Sequence, residues 1–272
     1  MNNSISVYNE AAAFVLDRAR RLVEQSGIDK PPFLSELLAP LADVKRIAHE
    51  DLGEISGLLL PVENGFIVKV NSRHSKERQN FSCAHEIVHT FFLDDAGNKL
   101  AKKVEVSAGR RRWRNILEKL CDLGASEILM PFWIFRSYAS KYQFSIGAVR
   151  PLANVFQVSL PSAAIRIKEV NPDPCYMFFW KLNPMSEVAN TKFELNWSSG
   201  PNTRLSTQDR PFLPIKGIRD KGSGIWAAYH SEDIIYSEEC IKVPGFKQFC
   251  KVQSQGFGRP PYRYVISLAF PQ

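Results

Sequence analysis

Arg78-Gln79-Asn80-Phe81-Ser82-Cys83-Ala84-His85-Glu86-Ile87-Val88-His89 is the stretch from which the rest of the chain is read. Phe81, Ala84, Val88 and, just beyond, Phe92 recur every three to four residues, so Ser75 to Phe92 reads as a helix. Residues four apart share a helix face, which turns the imidazoles of His85 and His89 toward one point. Two imidazoles at this spacing, with a glutamate directly after the first, form the HExxH pattern of a zinc site. Glu86 is then placed as the general base that takes a proton from an attacking water. A catalytic zinc takes three protein ligands, so the two histidines leave one to be found.

Working outward, the next long helix is Trp113 to Leu129, stopped by Pro131. Glu118 and Asp122 lie four apart on one face of it. Glu118 is expected as the third metal ligand. Asp122 is expected behind it, accepting a hydrogen bond from the far nitrogen of a ligating histidine and so fixing that ring's tautomer. Glu127 and His74 are rival third ligands. Glu127 sits among Ala125, Ile128 and Leu129, and His74 in a loop-like segment. Cys83 points off the ligand face, and Cys121 falls beside Asp122. Both read as small core residues.

Two spaced blocks now stand together: Arg78-x-x-Phe81-x-x-Ala84-His85-Glu86-x-x-His89, and Glu118-x-x-Cys121-Asp122-x-x-Ala125-Ser126-Glu127-Ile128-Leu129-Met130-Pro131. They resemble the ImmA/IrrE family of metallopeptidases over roughly residues 10 to 170. Cys121, Asp122 and Gly124 depart from that family's usual Ala, Asn and Phe. The resemblance implies a cytoplasmic regulatory protease with one zinc, or manganese or another divalent ion in its place. It implies a protein substrate, a helix-turn-helix transcriptional repressor, in a DNA-damage, stress or mobile-element response. It also implies a substrate peptide lying along the strand Gly65–Asn71, and a C-terminal sensor-like domain of GAF-like type. The donor for the developing oxyanion stays open among Arg136, Tyr138 and Tyr142.

The composition agrees with a globular chain: 272 residues, 44% hydrophobic and 23% charged. No run of 18 apolar residues is present, and Met1 to Glu10 is polar, so neither a membrane span nor a signal peptide is expected. Five cysteines without a CxxC pair fit a reducing cytoplasm better than a disulfide framework. The net charge of +7 is spread along the chain. One local run, Lys99 to Lys119, holds eight basic residues and two acidic ones. It reads as a solvated loop and helix start. In its sharper reading, Arg110, Arg111, Arg112 and Arg114 form a phosphate-contacting patch for DNA beside the active site.

The expected fold is α+β. A mostly helical metallopeptidase core with a small antiparallel sheet covers residues 1–143. A helix-turn-helix-like segment covers 144–171, and a C-terminal α/β sensor-like domain covers 172–272. Within the core, Tyr8 to Gln25 is an amphipathic helix, and Gly57–Pro61 and Gly65–Asn71 are a strand pair. The helical pair Ile146 to Phe156 and Leu160 to Val170 offers few cations to phosphates: Arg150, Arg166 and Lys168. Beyond residue 172, Tyr176–Trp180, Ile225–Tyr229 and Tyr264–Phe270 read as strands. A competing reading is a non-proteolytic zinc-containing regulator that binds nucleic acid or a protein partner. Glu86 weighs against it, because a purely structural zinc has no use for a base.

Overall fold

The computed structural model describes residues 2–182, 193–200, 223–243 and 246–272. Its fold is mixed α+β. The described residues fall into two compact units. One comprises the residues through Phe135 together with Ala153–Ser159. The other comprises Arg136–Leu152 and the described residues from Leu160 onward.

The first unit opens with α1 (Asn2–Ser26), whose Ala11, Ala12, Val15, Ala19, Leu22 and Val23 are buried at helical spacing. After the short α2 (Ser35–Leu38) come β1 (Val44–Glu50), β2 (Gly57–Val62) and β3 (Gly65–Asn71). The strand order is β1-β3-β2, with β1 parallel and β2 antiparallel to β3. The small sheet is therefore mixed rather than purely antiparallel. Strand β1 escapes sequence reading because only Val44 and Ala48 of its seven residues are buried, so it shows no clear alternation. This topology also corrects the expected substrate edge. β3 is the central strand and has partners on both sides, so the free edges belong to β1 and β2.

Two helices carry the site. α3 (Lys76–Thr90) starts at the N-cap Ser75, whose hydroxyl accepts from the Arg78 amide, and packs on β2 and β3. α4 (Asp95–Ala108) follows. The Asp94 carboxylate caps it by accepting from the Gly97 amide at 2.8 Å. Its buried stripe is thin, Leu100 and Val104 among charged residues, which is why this stretch reads as loop in the sequence. α5 (Arg110–Leu129) packs against both α1 and α3, and α6 (Phe132–Ser140) starts after Pro131.

Gly124 sits at the tightest point of that packing. A Cβ placed there would lie 2.7 Å from one Val88 methyl and 2.8 Å from a Val15 methyl. Both valines are fully buried and stiff at χ1, so neither can yield freely. Gly124 thus marks a close approach of three helices.

The second unit holds the 3-10 turn Ile146–Ala148 and α8 (Leu160–Val170), with α7 (Val149–Phe156) between them in the chain. Then come β4 (Tyr176–Leu182), β5 (Phe193–Ser199), α9 (Gly224–His230), β6 (Ile235–Val243), β7 (Phe246–Phe257) and β8 (Tyr264–Pro271). The five strands form one antiparallel sheet in the order β5-β4-β8-β7-β6. α9 covers one face, over Phe178, Trp180, Ile241, Val252 and Val265. α8 and the 3-10 turn pack on the sheet as well. Ile225–Tyr229, expected as a strand, is α9 instead. The Ser223 hydroxyl caps it by accepting from the Trp226 amide at 3.2 Å, and Ile225, Ala228 and Tyr229 fall on one buried face. The run is apolar enough for either structure, and the cap and the three-to-four spacing decide for helix. Among the described residues, no helix is long and apolar enough to cross a membrane.

Gly124→Leu should lower unfolding stability by roughly 1–3 kcal/mol, read by thermal or denaturant melting. On a free helix surface the same change would raise stability by about 1 kcal/mol. A variant as stable as the wild type, or more so, would contradict the close packing of α1, α3 and α5.

Candidate metal centre

His85 and His89 lie one turn apart on α3, facing Glu118 and Asp122 one turn apart on α5. The contacts among them are specific. His85 Nδ1 lies 2.9 Å from Asp122 Oδ1, and His85 Nε2 lies 3.1 Å from Glu118 Oε2. His89 Nε2 lies 3.2 Å from His85 Nε2 and 3.9 Å from Glu118 Oε1. With Nδ1–H donating to Asp122, His85 Nε2 presents a lone pair. That lone pair meets the Glu118 carboxylate and the His89 ring. Acceptors converging this closely need a proton or a cation among them.

A divalent metal fits that need. A tetrahedral zinc with bonds of about 2.0–2.1 Å holds neighbouring donors about 3.3 Å apart. Two of the three donor separations, 3.1 and 3.2 Å, come within a few tenths of this, and 3.9 Å is the longest side. His85 and His89 side chains are only 15% and 22% exposed, whereas Glu118 is 59% exposed. The group is walled on the histidine side and open on the carboxylate side, as a site that must admit a substrate requires.

Electrostatics follow from this crowding. Burial pulls the His85 imidazole down, but the Asp122 hydrogen bond and the charges of Asp122, Glu86 and Glu118 outweigh it and leave its pKa raised. His89 lacks such a hydrogen bond. Burial, with the neighbouring His85 charge, leaves its pKa lowered. Burial also raises the Glu86 carboxyl above the usual carboxylate range, with Glu118 adding to the rise and His85 opposing it.

Cys121 is a competitor for the third position. Its thiol lies within 4.8 Å of ligand atoms of both histidines. Cys121 is fully buried, and burial together with the Glu118, Asp122 and Glu86 charges raises its thiol pKa. Cys83 is likewise buried and pushed up to about 12.

The rivals named from sequence go elsewhere. Glu127 is buried and accepts from Arg20 Nε at 3.0 Å and from the Phe132 amide at 3.3 Å, tying α5 to α1. His74 sits before α3, its carbonyl accepting from Gln79 Nε2 at 2.6 Å. Arg136, Tyr138 and Tyr142 belong to the second unit. Arg112 and Arg114 are exposed near the start of α5, and the side chains of Arg110 and Arg111 lie outside the described ones. On α8, Arg166 is 1% exposed and paired with Glu169 at 2.9 Å. Lys168 is also buried and donates to the Gly200 carbonyl at 2.8 Å. Neither cation of the second helix of the pair is therefore turned outward to phosphate.

A cleft of about 380 Å³ opens over the group, lined by Ser56, Gly57, Arg78, Phe81, Ser82, His85, Glu86, Glu118 and Asp122. Gly57, the first residue of β2, went unnoticed in the sequence. A Cβ there would lie 2.9 Å from Glu86 Oε1 and 3.1 Å from its Cγ. With no side chain at residue 57, the strand lies directly against the carboxylate.

A half-buried histidine pair on one helix, a carboxylate pair on the next and a nearby glutamate form a candidate divalent-metal centre. Residues 44–168 match the model of the IrrE N-terminal-like domain. The radiation response metalloprotease IrrE of Deinococcus radiodurans is 31% identical over 169 residues, 62% of this chain and 49% of that protein. The protein of the same name in Deinococcus deserti is 27% identical over 164 residues, 60% of this chain and 57% of that protein. The chain thus spans about half the length of these curated relatives. A solved Mycobacterium tuberculosis transcriptional regulator shares the fold, with a TM-score of 0.59 at 12% identity, covering 97% of this chain and 81% of that one.

Gly57→Ala should change melting by less than about 1 kcal/mol, because the atoms it meets end a flexible side chain. It should shift the Glu86 carboxylate by roughly half an ångström or more to restore normal contact. A crystal structure of the variant with Glu86 unmoved would contradict the fit of strand to carboxylate.

Proposed function

We propose that the chain is a regulatory zinc-dependent endopeptidase, with His85, His89 and Glu118 holding the metal, Asp122 orienting His85 and Glu86 acting as base. The observation that carries this reading is the convergence of His85 Nε2, His89 Nε2 and the Glu118 carboxylate, with Asp122 on the opposite nitrogen of His85. When bound, the metal supplies Lewis acidity toward a substrate carbonyl and toward water. Glu86 receives the proton of the attacking water and returns it to the departing amine nitrogen. Burial raises the pKa of its carboxyl, which favours its holding a proton between the two transfers. Asp122 keeps the His85 ring in one tautomer and makes it a stronger donor to the metal.

An extended substrate is held along the free edge of β2, which begins at Gly57 beside Glu86 and leaves Leu60 and Val62 exposed. The substrate we infer is a helix-turn-helix transcriptional repressor cleaved in a DNA-damage, stress or mobile-element response. The family resemblance supports this inference, as does the radiation-response name of the relatives. The five-stranded unit is read as the sensor-like, GAF-like part. It carries a separate cleft of about 860 Å³, lined among others by Tyr236, Glu238, Lys251 and Phe270, with room for a small regulatory molecule. Arg112 and Arg114, with Arg110 and Arg111, remain the candidate contacts to DNA.

Purified wild-type chain should hold about one zinc, read by elemental analysis, and Glu118→Ala should lose it. Glu127→Ala should keep the metal and instead lose about 1–3 kcal/mol of stability through its broken buried hydrogen bonds. Glu86→Gln should keep both metal and stability while peptide hydrolysis disappears. Hydrolysis surviving in Glu86→Gln would rule out this mechanism.

A further inference from the structure

The cleft is lined by three carboxylates, Glu86, Glu118 and Asp122, and by one guanidinium, that of Arg78. Arg78 lies on the face of α3 that carries Ser82, His85 and Glu86, two turns toward the helix start. Its Nη2 donates to the Ser56 hydroxyl at 3.0 Å. Among the described residues no carboxylate pairs with it, and it is not among the charges that shift Glu86. A guanidinium has five N–H donors arranged as a fork that matches a carboxylate. Here one donor is taken by a neutral oxygen, and the side chain is exposed at the cleft wall.

Position decides what it can do. The α-carbons of Arg78 and Glu86 are about 12 Å apart along the helix axis, but the Arg78 guanidinium reaches Ser56, the residue before Gly57, which itself lies against Glu86. Arg78 therefore faces an extended peptide within a few residues of the bond being cut. A substrate's acidic side chain arriving elsewhere along this wall would meet Glu86, Glu118 or Asp122 and be repelled. Beside Arg78 it would find an unpaired cation.

We propose that Arg78 is a specificity residue of the cleft, receiving an Asp or Glu side chain of the substrate within a few positions of the scissile bond. The proposal rests on the metallopeptidase reading. It deepens that reading by naming a chemical feature of the substrate: an acidic residue held bidentately at a fixed distance from the cut. The Ser56 bond gives Arg78 a second job, holding the chain just before Gly57 against α3. A purely structural role would weaken all peptides equally, which separates the two roles.

The test uses the zinc-loaded full chain and peptide hydroxamates, which bind through the metal. One glutamate is walked along an alanine scaffold on either side of the hydroxamate, each peptide having a glutamine counterpart, with affinity read by calorimetry. At one position the glutamate peptide should bind about tenfold tighter than its glutamine twin. Arg78→Gln should erase that ratio, whatever it does to the affinity of both peptides alike. Equal binding of every pair would overturn the proposal, as would a glutamate preference that survives in Arg78→Gln. If no hydroxamate binds to wild type at all, the metallopeptidase reading fails, and the proposal falls with it.

Discussion

The crossing of α3 on α5 sets the distances between the histidines and the two acids that face them. Neither helix alone can assemble the centre: α3 supplies two imidazoles and the glutamate, and α5 supplies two carboxylates. The crossing is close because Gly124 lets Val88 and Val15 rest where a side chain would stand. A wider crossing would lengthen the 2.9 Å and 3.1 Å contacts from His85 to Asp122 and Glu118 together, since both acids ride on the same helix face. Packing in the core and electrostatics at the surface are thus one constraint.

That constraint explains the division of labour among the acids of α5. Glu118 and Asp122 are more than half exposed and free to serve the cleft. Glu127 is turned to the opposite side, where Arg20 and the Phe132 amide consume it. Cys121 lies between the two exposed acids in sequence and is buried, with its thiol within 4.8 Å of the ligand atoms of both histidines.

The parts of the fold legible in the sequence are those with strong local periodicity. α1, α3 and α5 announce themselves by three-to-four spacing, and the β2–β3 pair by two apolar runs around Glu63-Asn64. The i, i+4 rule likewise places His85 with His89 and Glu118 with Asp122, and the four come together where α3 faces α5. What stayed hidden depends on tertiary context. β1 has too few buried residues to alternate, and its parallel pairing reaches across the chain to β3. The central place of β3, and hence the free edge on β2, follows from that pairing. Gly57 and Gly124 matter through what they lack, so only the neighbouring atoms reveal them. α9 was misread because a short apolar run suits helix and strand alike until its serine cap is counted.

The central claim is that Glu118, and not Cys121, completes the metal site. X-ray absorption at the zinc edge of the purified, zinc-loaded chain tests it directly. The account predicts a shell of nitrogen and oxygen neighbours only, at about 2.0–2.2 Å, with imidazole scattering from two histidines. A sulfur neighbour at about 2.3 Å would place Cys121 on the metal and contradict the account.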